Sequence, residues 1–260
     1  MNRWIDTHTH LDIIEKQESQ QIKVVEESHE KKIERLITIS TTIESYLSGK
    51  NLVNKFPDIV YTTCGLYPSH AEAYDDNMRN QLIAQLKEGV AVAIGEAGID
   101  YHWNYATPDL QKKLFRDQIH LAKEFDLPLV IHARNSYDDI YAIIKEEKPS
   151  KGGVMHCYSS DVSYVDKFVE LGLYISFAGN VTYKKAHTLQ ESCVATPLER
   201  LVLETDAPYL TPMPFRGKKN YPHLISNTAE FVAELKGVSL EKLSEATCQN
   251  AIDLFNLNGD

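Results

Sequence analysis

Short runs of apolar and β-branched residues punctuate the chain at fairly even intervals. They fall at Trp4–Asp6, Arg35–Ile39, Ile59–Cys64, Val90–Ile94, Leu129–Ile131, Gly153–Met155, Leu173–Ser176 and Leu201–Leu203, and they read as eight strands. Longer stretches with helical spacing separate them. In Asp109–Phe125, for example, Leu110, Leu114, Gln118 and Leu121 fall on neighbouring turns. Thr107 followed by Pro108 supplies a cap and a first-turn residue for that helix. Two more helices, about His223–Lys236 and Ser239–Leu254, follow the last strand. Strands alternating with helices in this way predict an α/β protein, a (β/α)8 barrel of the TIM type. A doubly wound open sheet would alternate similarly. Its Gly-rich phosphate loop is missing after the first strand, where Asp6-Thr7-His8-Thr9-His10 stands instead. No repeat, low-complexity segment or Pro/Gly-rich linker marks a boundary, so residues 1–260 are expected to form one domain.

Composition narrows the class without naming a chemistry. At 260 residues, 43% hydrophobic and 25% charged, the chain can bury one sizeable core without disulfides. Cys64, Cys157, Cys193 and Cys248 are scattered and form no Cys-x-x-Cys pair, which excludes a zinc knuckle or a thioredoxin-like motif and suits a reducing compartment. Asp6, His8, His10 and Asp12 crowd the first twelve residues, leaving no apolar core for a signal peptide. No run approaches the roughly 18 apolar residues of a membrane span. The expectation is a cytoplasmic protein with no membrane partner and no obligate protein partner. The formal net charge of −10 argues against a broad electrostatic footprint for nucleic acid. A phosphate-bearing substrate must then be gripped locally.

Placed on the strand pattern, the polar residues become informative. His8 and His10 follow the first strand, Glu96 the fourth and Asp206 the eighth, while His132 closes the fifth and His156 the sixth. In a barrel those strand ends converge on one mouth, where active sites are built. His8 and His10, two apart in extended chain, point the same way and can grip one cation. Glu96 sits among small neighbours in what reads as a Gly95-Glu96-Ala97-Gly98 turn, and one carboxylate can bridge two cations. Asp206 can complete the first metal and position or deprotonate a water. Glu204, two residues earlier, is either a support for the ligands or a buried acid paired with Arg134. Four imidazoles and two carboxylates suit two divalent ions of the zinc or manganese kind, with magnesium open if waters and phosphate oxygens complete its shell.

The chain resembles the TatD-family metal-dependent deoxyribonucleases. The resemblance runs through Asp6-Thr7-His8-Thr9-His10-Leu11-Asp12 and Ile94-Gly95-Glu96-Ala97-Gly98-Ile99-Asp100-Tyr101, then Gln111, Phe115 and Gln118. It continues through Leu127-Pro128, His132-Ala133-Arg134 and His156-Cys157-Tyr158-Ser159 to Glu204-Thr205-Asp206-Ala207-Pro208-Tyr209-Leu210, Arg216-Gly217-Lys218, Thr247 and Asn250. It implies that His8, His10, Glu96 and Asp206 hold one metal, and that Glu96, His132 and His156 hold the other. Two positions depart from the family pattern. Thr9 replaces a small Cys or Ser, and Tyr67, in Gly65-Leu66-Tyr67-Pro68-Ser69-His70, stands where a histidine is usual. That puts a role for this loop in doubt; His70, three residues on, reads as a surface histidine.

The expected reaction is hydrolysis of DNA phosphodiesters by a metal-bridging hydroxide, exonucleolytic and on single strands rather than duplex, with Glu96 and Asp206 as the catalytic carboxylates. Arg134, Arg216, Lys218 and Tyr158 are the candidate substrate contacts, with Lys219 in the same basic loop. Tyr67, Tyr101, Trp103 and Tyr209 are further candidates for stacking on bases. Two rivals share these residues: an amidohydrolase, ester hydrolase or deacylase on the same barrel, and a barrel whose metals are purely structural. Six ligands over two ions suit an open catalytic site better than a closed structural one.

Overall fold

The structure, a computed structural model, describes residues 2–103 and 105–257. Eight parallel strands lie side by side in chain order: β1 (Trp4–Thr9), β2 (Ile33–Thr38), β3 (Val60–Cys64), β4 (Ala91–Asp100), β5 (Leu129–Arg134), β6 (Gly153–Met155), β7 (Tyr174–Phe177) and β8 (Leu201–Leu203). The α-helices among the described residues are α1 (Leu11–Ile14), α2 (Glu18–Glu30), α3 (Ile43–Lys55), α4 (Asp76–Leu86), α5 (Pro108–Glu124), α6 (Tyr137–Glu147), α7 (Val162–Glu170), α8 (His187–Ala195), α9 (Ile225–Lys236) and α10 (Leu240–Phe255). The alternation is that of a (β/α)8 barrel, nearly closed. Its seam joins Thr9 to Ala207, with His10 N donating to Ala207 O at 2.8 Å and Asp206 N donating to His8 O at 2.9 Å. Three of the predicted metal ligands therefore line the seam. No helix among the described residues is long and apolar enough to cross a membrane.

The buried side chains divide as a barrel requires. A large cluster fills the space between strands and helices. A smaller one takes a residue from each of six strands, Ile5, Ile37, Ala93, Val130, Val154 and Val202, and is closed by Leu254, Phe255 and Leu257 at the end of α10. Except for Ile37 on β2, each of the strand residues lies two to four residues before a predicted ligand, Ile5 before His8, Ala93 before Glu96, Val130 before His132, Val154 before His156 and Val202 before Asp206. They form an apolar floor beneath a polar mouth.

Two of the helix starts expected from the sequence have a capping side chain in place. Thr107 Oγ1 accepts the Leu110 amide with Pro108 in the first turn of α5, and Ser239 Oγ accepts the Lys242 amide of α10 at 3.1 Å. Strand ends differ from the expected pattern at β1, β4 and β5, which run further, so that His8, Glu96 and His132 lie inside strands. In particular Gly95-Glu96-Ala97-Gly98 is extended β4, not a turn. Its glycines let β4 lie against β5: a Cβ on Gly98 (φ 151°) would stand 2.0 Å from His132 O, and one on Gly95 2.6 Å from Val130 Cβ. The β4–β5 ladder thus continues through Gly98–His132 to Asp100–Arg134.

Candidate metal centre

The six predicted ligands meet at the mouth. Glu96 is the middle of the group. Its Oε1 lies 2.9 Å from His132 Nδ1 and 2.9 Å from His156 Nε2. Its Oε2 lies 3.5 Å from His8 Nε2 and 3.8 Å from His10 Nε2. Asp206 Oδ1 approaches the same two nitrogens, at 3.4 Å from His10 and 3.7 Å from His8. The ligand atoms of His8, Glu96 and His156 lie within 4.8 Å of one another, as do those of His8, His10 and Asp206, and His132 joins through Glu96 and His156.

This constellation fits cations better than it fits itself. His8 Nε2 and His10 Nε2 stand 3.2 Å apart, as do His132 Nδ1 and His156 Nε2. Each pair of lone pairs needs a proton or a metal between them. The other nitrogens of His8 and His10, both Nδ1, are buried without a hydrogen-bond partner. Nitrogen and oxygen donors without thiolate match borderline divalent ions. Burial disfavours charge on Glu96, yet the imidazoles of His156, His132 and His8 outweigh it and hold the carboxyl well below its usual range. Burial, followed by the charge of His156, pushes His8 down toward the neutral, ligating form.

Behind the candidate ligands stands a layer of groups that contact them. Asp100 Oδ2 lies 3.0 Å from His132 Nε2 and accepts the Tyr67 hydroxyl at 2.7 Å, which is itself 3.2 Å from the same imidazole nitrogen. Asp100 Oδ1 accepts the amides of His102 and Trp103, at 2.9 and 3.2 Å. Burial opposes the charge of Asp100, but His132 and Tyr67 bring its pKa to about 2. Burial and then the Asp100 carboxylate push Tyr67 far up, so Tyr67 acts as a neutral donor. Glu204 Oε1 faces His156 Nδ1 at 3.4 Å. Glu204 therefore supports a histidine and does not pair with Arg134. Asp6 ties β1 to the segment after β8, accepting the Thr205 amide at 2.9 Å and its hydroxyl at 2.6 Å; burial lifts its carboxyl to about 8.

The candidate substrate contacts fare unequally. Arg134 is exposed at the end of β5, its guanidinium 5.7 Å from the Trp103 ring centroid. Arg216 is exposed and 4.3 Å from the Tyr183 ring, and Lys218 lies over Phe215 at 5.7 Å. Lys219 instead pairs with Glu15 at 2.8 Å. Tyr158 is buried, packs against Tyr137 and Phe177, and donates to Asp161 O at 2.6 Å. It offers no free ring face to a base, which corrects its reading as a substrate contact. Cys157, at φ 45°, turns the chain just after His156 and sends Tyr158 away from the mouth. Tyr101 is likewise spent on Asp139, at 2.7 Å. His70 is half-buried in a short 3-10 turn (Pro68–His70). Two residues have no role assigned from the sequence: Asp100, there only part of a shared motif, which shares a face of β4 with Glu96, and the exposed Tyr105.

The profile of the family described as TatD related DNase matches residues 5–256. The chain belongs to that family. TatD relatives resemble it along almost its whole length. It is 38% identical over 258 residues to the uncharacterized metal-dependent hydrolase YabD of Bacillus subtilis, covering 97% of this chain and 99% of the relative. It is 36% identical to the uncharacterized metal-dependent hydrolase YcfH of Escherichia coli, covering 98% and 96%. The crystal structure of YJJV, a TatD homologue from Escherichia coli, superposes with a TM-score of 0.91 at 28% identity, covering 98% of each chain. This TatD-family chain thus falls among metal-dependent hydrolases, and its cluster of histidines and acids is the candidate place for the metal.

Proposed function

We propose that this TatD-family hydrolase cleaves phosphodiester bonds of DNA, working from the ends of single strands, at a pair of divalent cations. One observation carries the reading. The two oxygens of the Glu96 carboxylate each face a separate pair of imidazoles, so one buried side chain can serve two adjacent cations. His8, His10, Glu96 and Asp206 would hold one ion; Glu96, His132 and His156 would hold the other. Such a pair, when bound, supplies Lewis acidity that lowers the pKa of water and neutralises phosphate oxygens.

The chain's own groups support the rest. Asp206, partly open to solvent, presents one carboxylate oxygen to His8 and His10 and keeps the other for orienting a water or taking its proton. Arg134, Arg216 and Lys218 are cations with no carboxylate partner among the described residues, and so are free to meet phosphate locally on an acidic protein. The matched family's description names DNase activity.

The test is direct. Metal-stripped protein is incubated with end-labelled single-stranded DNA, with and without Mn²⁺ or Mg²⁺, beside Glu96→Ala. The reading requires stepwise shortening that depends on metal and is lost, by at least about a hundredfold, in the variant. Metal uptake without cleavage would overturn the nuclease reading and direct attention to esters and amides.

A further inference from the structure

Seven large hydrophobic residues are exposed among those described, and four of them, Trp103, Tyr105, Tyr209 and Met213, stand on just two loops, those after β4 and β8. Both loops open from the end of the barrel that carries the histidine and acid cluster. Trp103, Tyr105 and Tyr209 keep 49%, 41% and 51% of their surface in water. About half of the apolar area of each ring is thus left without the stabilisation that full burial would give. The rings are also placed with respect to the cluster. Tyr209 lies edge-on to His10 with centroids 6.3 Å apart. On the other side Tyr105 meets Tyr67 at 6.0 Å, and Tyr67 meets His132 at 4.9 Å. Each half of the cluster thus has an exposed ring one or two side chains away.

Resting on the phosphodiesterase reading above, we propose that these rings form a split stacking clamp for unpaired nucleobases on either side of the scissile phosphate. Tyr209 receives a base on the His10 side; Trp103 and Tyr105 receive one on the His132 side. Stacking on aromatic rings is tolerant of sequence, because every base has a flat face. Charge complementarity selects this occupant over an apolar peptide. The Arg134 guanidinium covers the Trp103 ring at 5.7 Å and has no carboxylate partner among the described residues, so its N–H edges are free for the phosphate next to a stacked base. The Asp100 carboxylate holds the clamp in register with the cluster, since the oxygen that takes the Trp103 amide belongs to the group that faces His132. A duplex keeps its base faces stacked inside, so the clamp selects strands with unpaired ends.

A binding cycle tests this independently of turnover. Metal-loaded wild type, Trp103→Ala and Tyr209→Ala are titrated with fluorescent phosphorothioate single strands, whose slow cleavage keeps binding readable. Each strand carries either normal bases or abasic positions near the end. Wild type should lose about tenfold in affinity on base removal, the scale of one base–aromatic stack. In each alanine variant the same removal should cost much less, the lost ring and the lost base being one interaction. Circular dichroism and the melting temperature confirm that the variants are folded. Equal affinity of wild type for normal and abasic strands, or an undiminished penalty in both variants, overturns the clamp. Strands that bind in the expected pattern but are never shortened, in the phosphodiester form, leave the clamp standing and overturn the nuclease reading. Cleavage without any abasic penalty does the reverse.

Discussion

At the scale of single residues, the centre depends on how each imidazole is turned. His132 faces Glu96 with Nδ1 because Nε2 is engaged by Asp100, and Asp100 is in turn engaged by the Tyr67 hydroxyl. Carboxylates that hold the far nitrogen of a ligating histidine commonly matter about 10- to 100-fold in metal affinity or activity. Asp100→Asn is therefore expected to weaken binding of the ion proposed for Glu96, His132 and His156 by about that factor. Tyr67→Phe, which keeps the ring and loses one hydrogen bond, should lie at the low end. Calorimetric titration of stripped protein checks both, and unchanged affinity in Asp100→Asn would show that the carboxylate does not orient the ligand. The six ligand candidates were readable in the sequence because histidines and acids at the ends of apolar strands have few structural uses. Asp100 is not legible as a site residue because the apolar run of its strand ends at Ile94, whereas β4 continues to Asp100 itself. Tyr158 follows a strand end and so reads as a mouth-loop residue, yet the chain turns at Cys157 (φ 45°) and Tyr158 is buried in the core.

At the scale of elements, β4 is the part that sequence patterning described least well. Two glycines within four residues look like a break, since glycine weakens an isolated strand. Here they are what allows the strand to continue, because β4 and β5 approach too closely at Gly98 and Gly95 for any side chain. The start of α5, by contrast, was legible from its capping residue Thr107 and from its spacing. Gly98→Ala places a methyl 2.0 Å from the His132 carbonyl at a φ of 151°, so the backbone of β4 or β5 must move. We expect a loss of several kcal/mol of stability, about 3 or more, as for other strained backbone positions combined with overpacking. Metal affinity should fall with it, because Glu96 and His132 flank the clash. A melting curve within a degree or two of wild type would contradict the close packing described for this pair.

At the scale of the whole molecule, the barrel separates duties along its axis. An apolar floor of Ile5, Ile37, Ala93, Val130, Val154 and Val202, sealed by the end of α10, adds to the larger core between strands and helices. The mouth above it gathers polar groups that would be costly to bury without a partner. Barrel topology was legible from eight alternating runs, but the seam was not. No local pattern announces that Thr9 pairs with Ala207, and that pairing is what brings His8, His10 and Asp206 together. The central claim, that Glu96 joins two cation sites into one, is tested most directly by counting ions. Metal-stripped wild type titrated with Mn²⁺ or Zn²⁺ should take up two per chain. Glu96→Ala, still folded by circular dichroism, should lose at least one and bind the remainder far more weakly. A single ion per wild-type chain, or two ions bound undiminished in Glu96→Ala, would contradict the account.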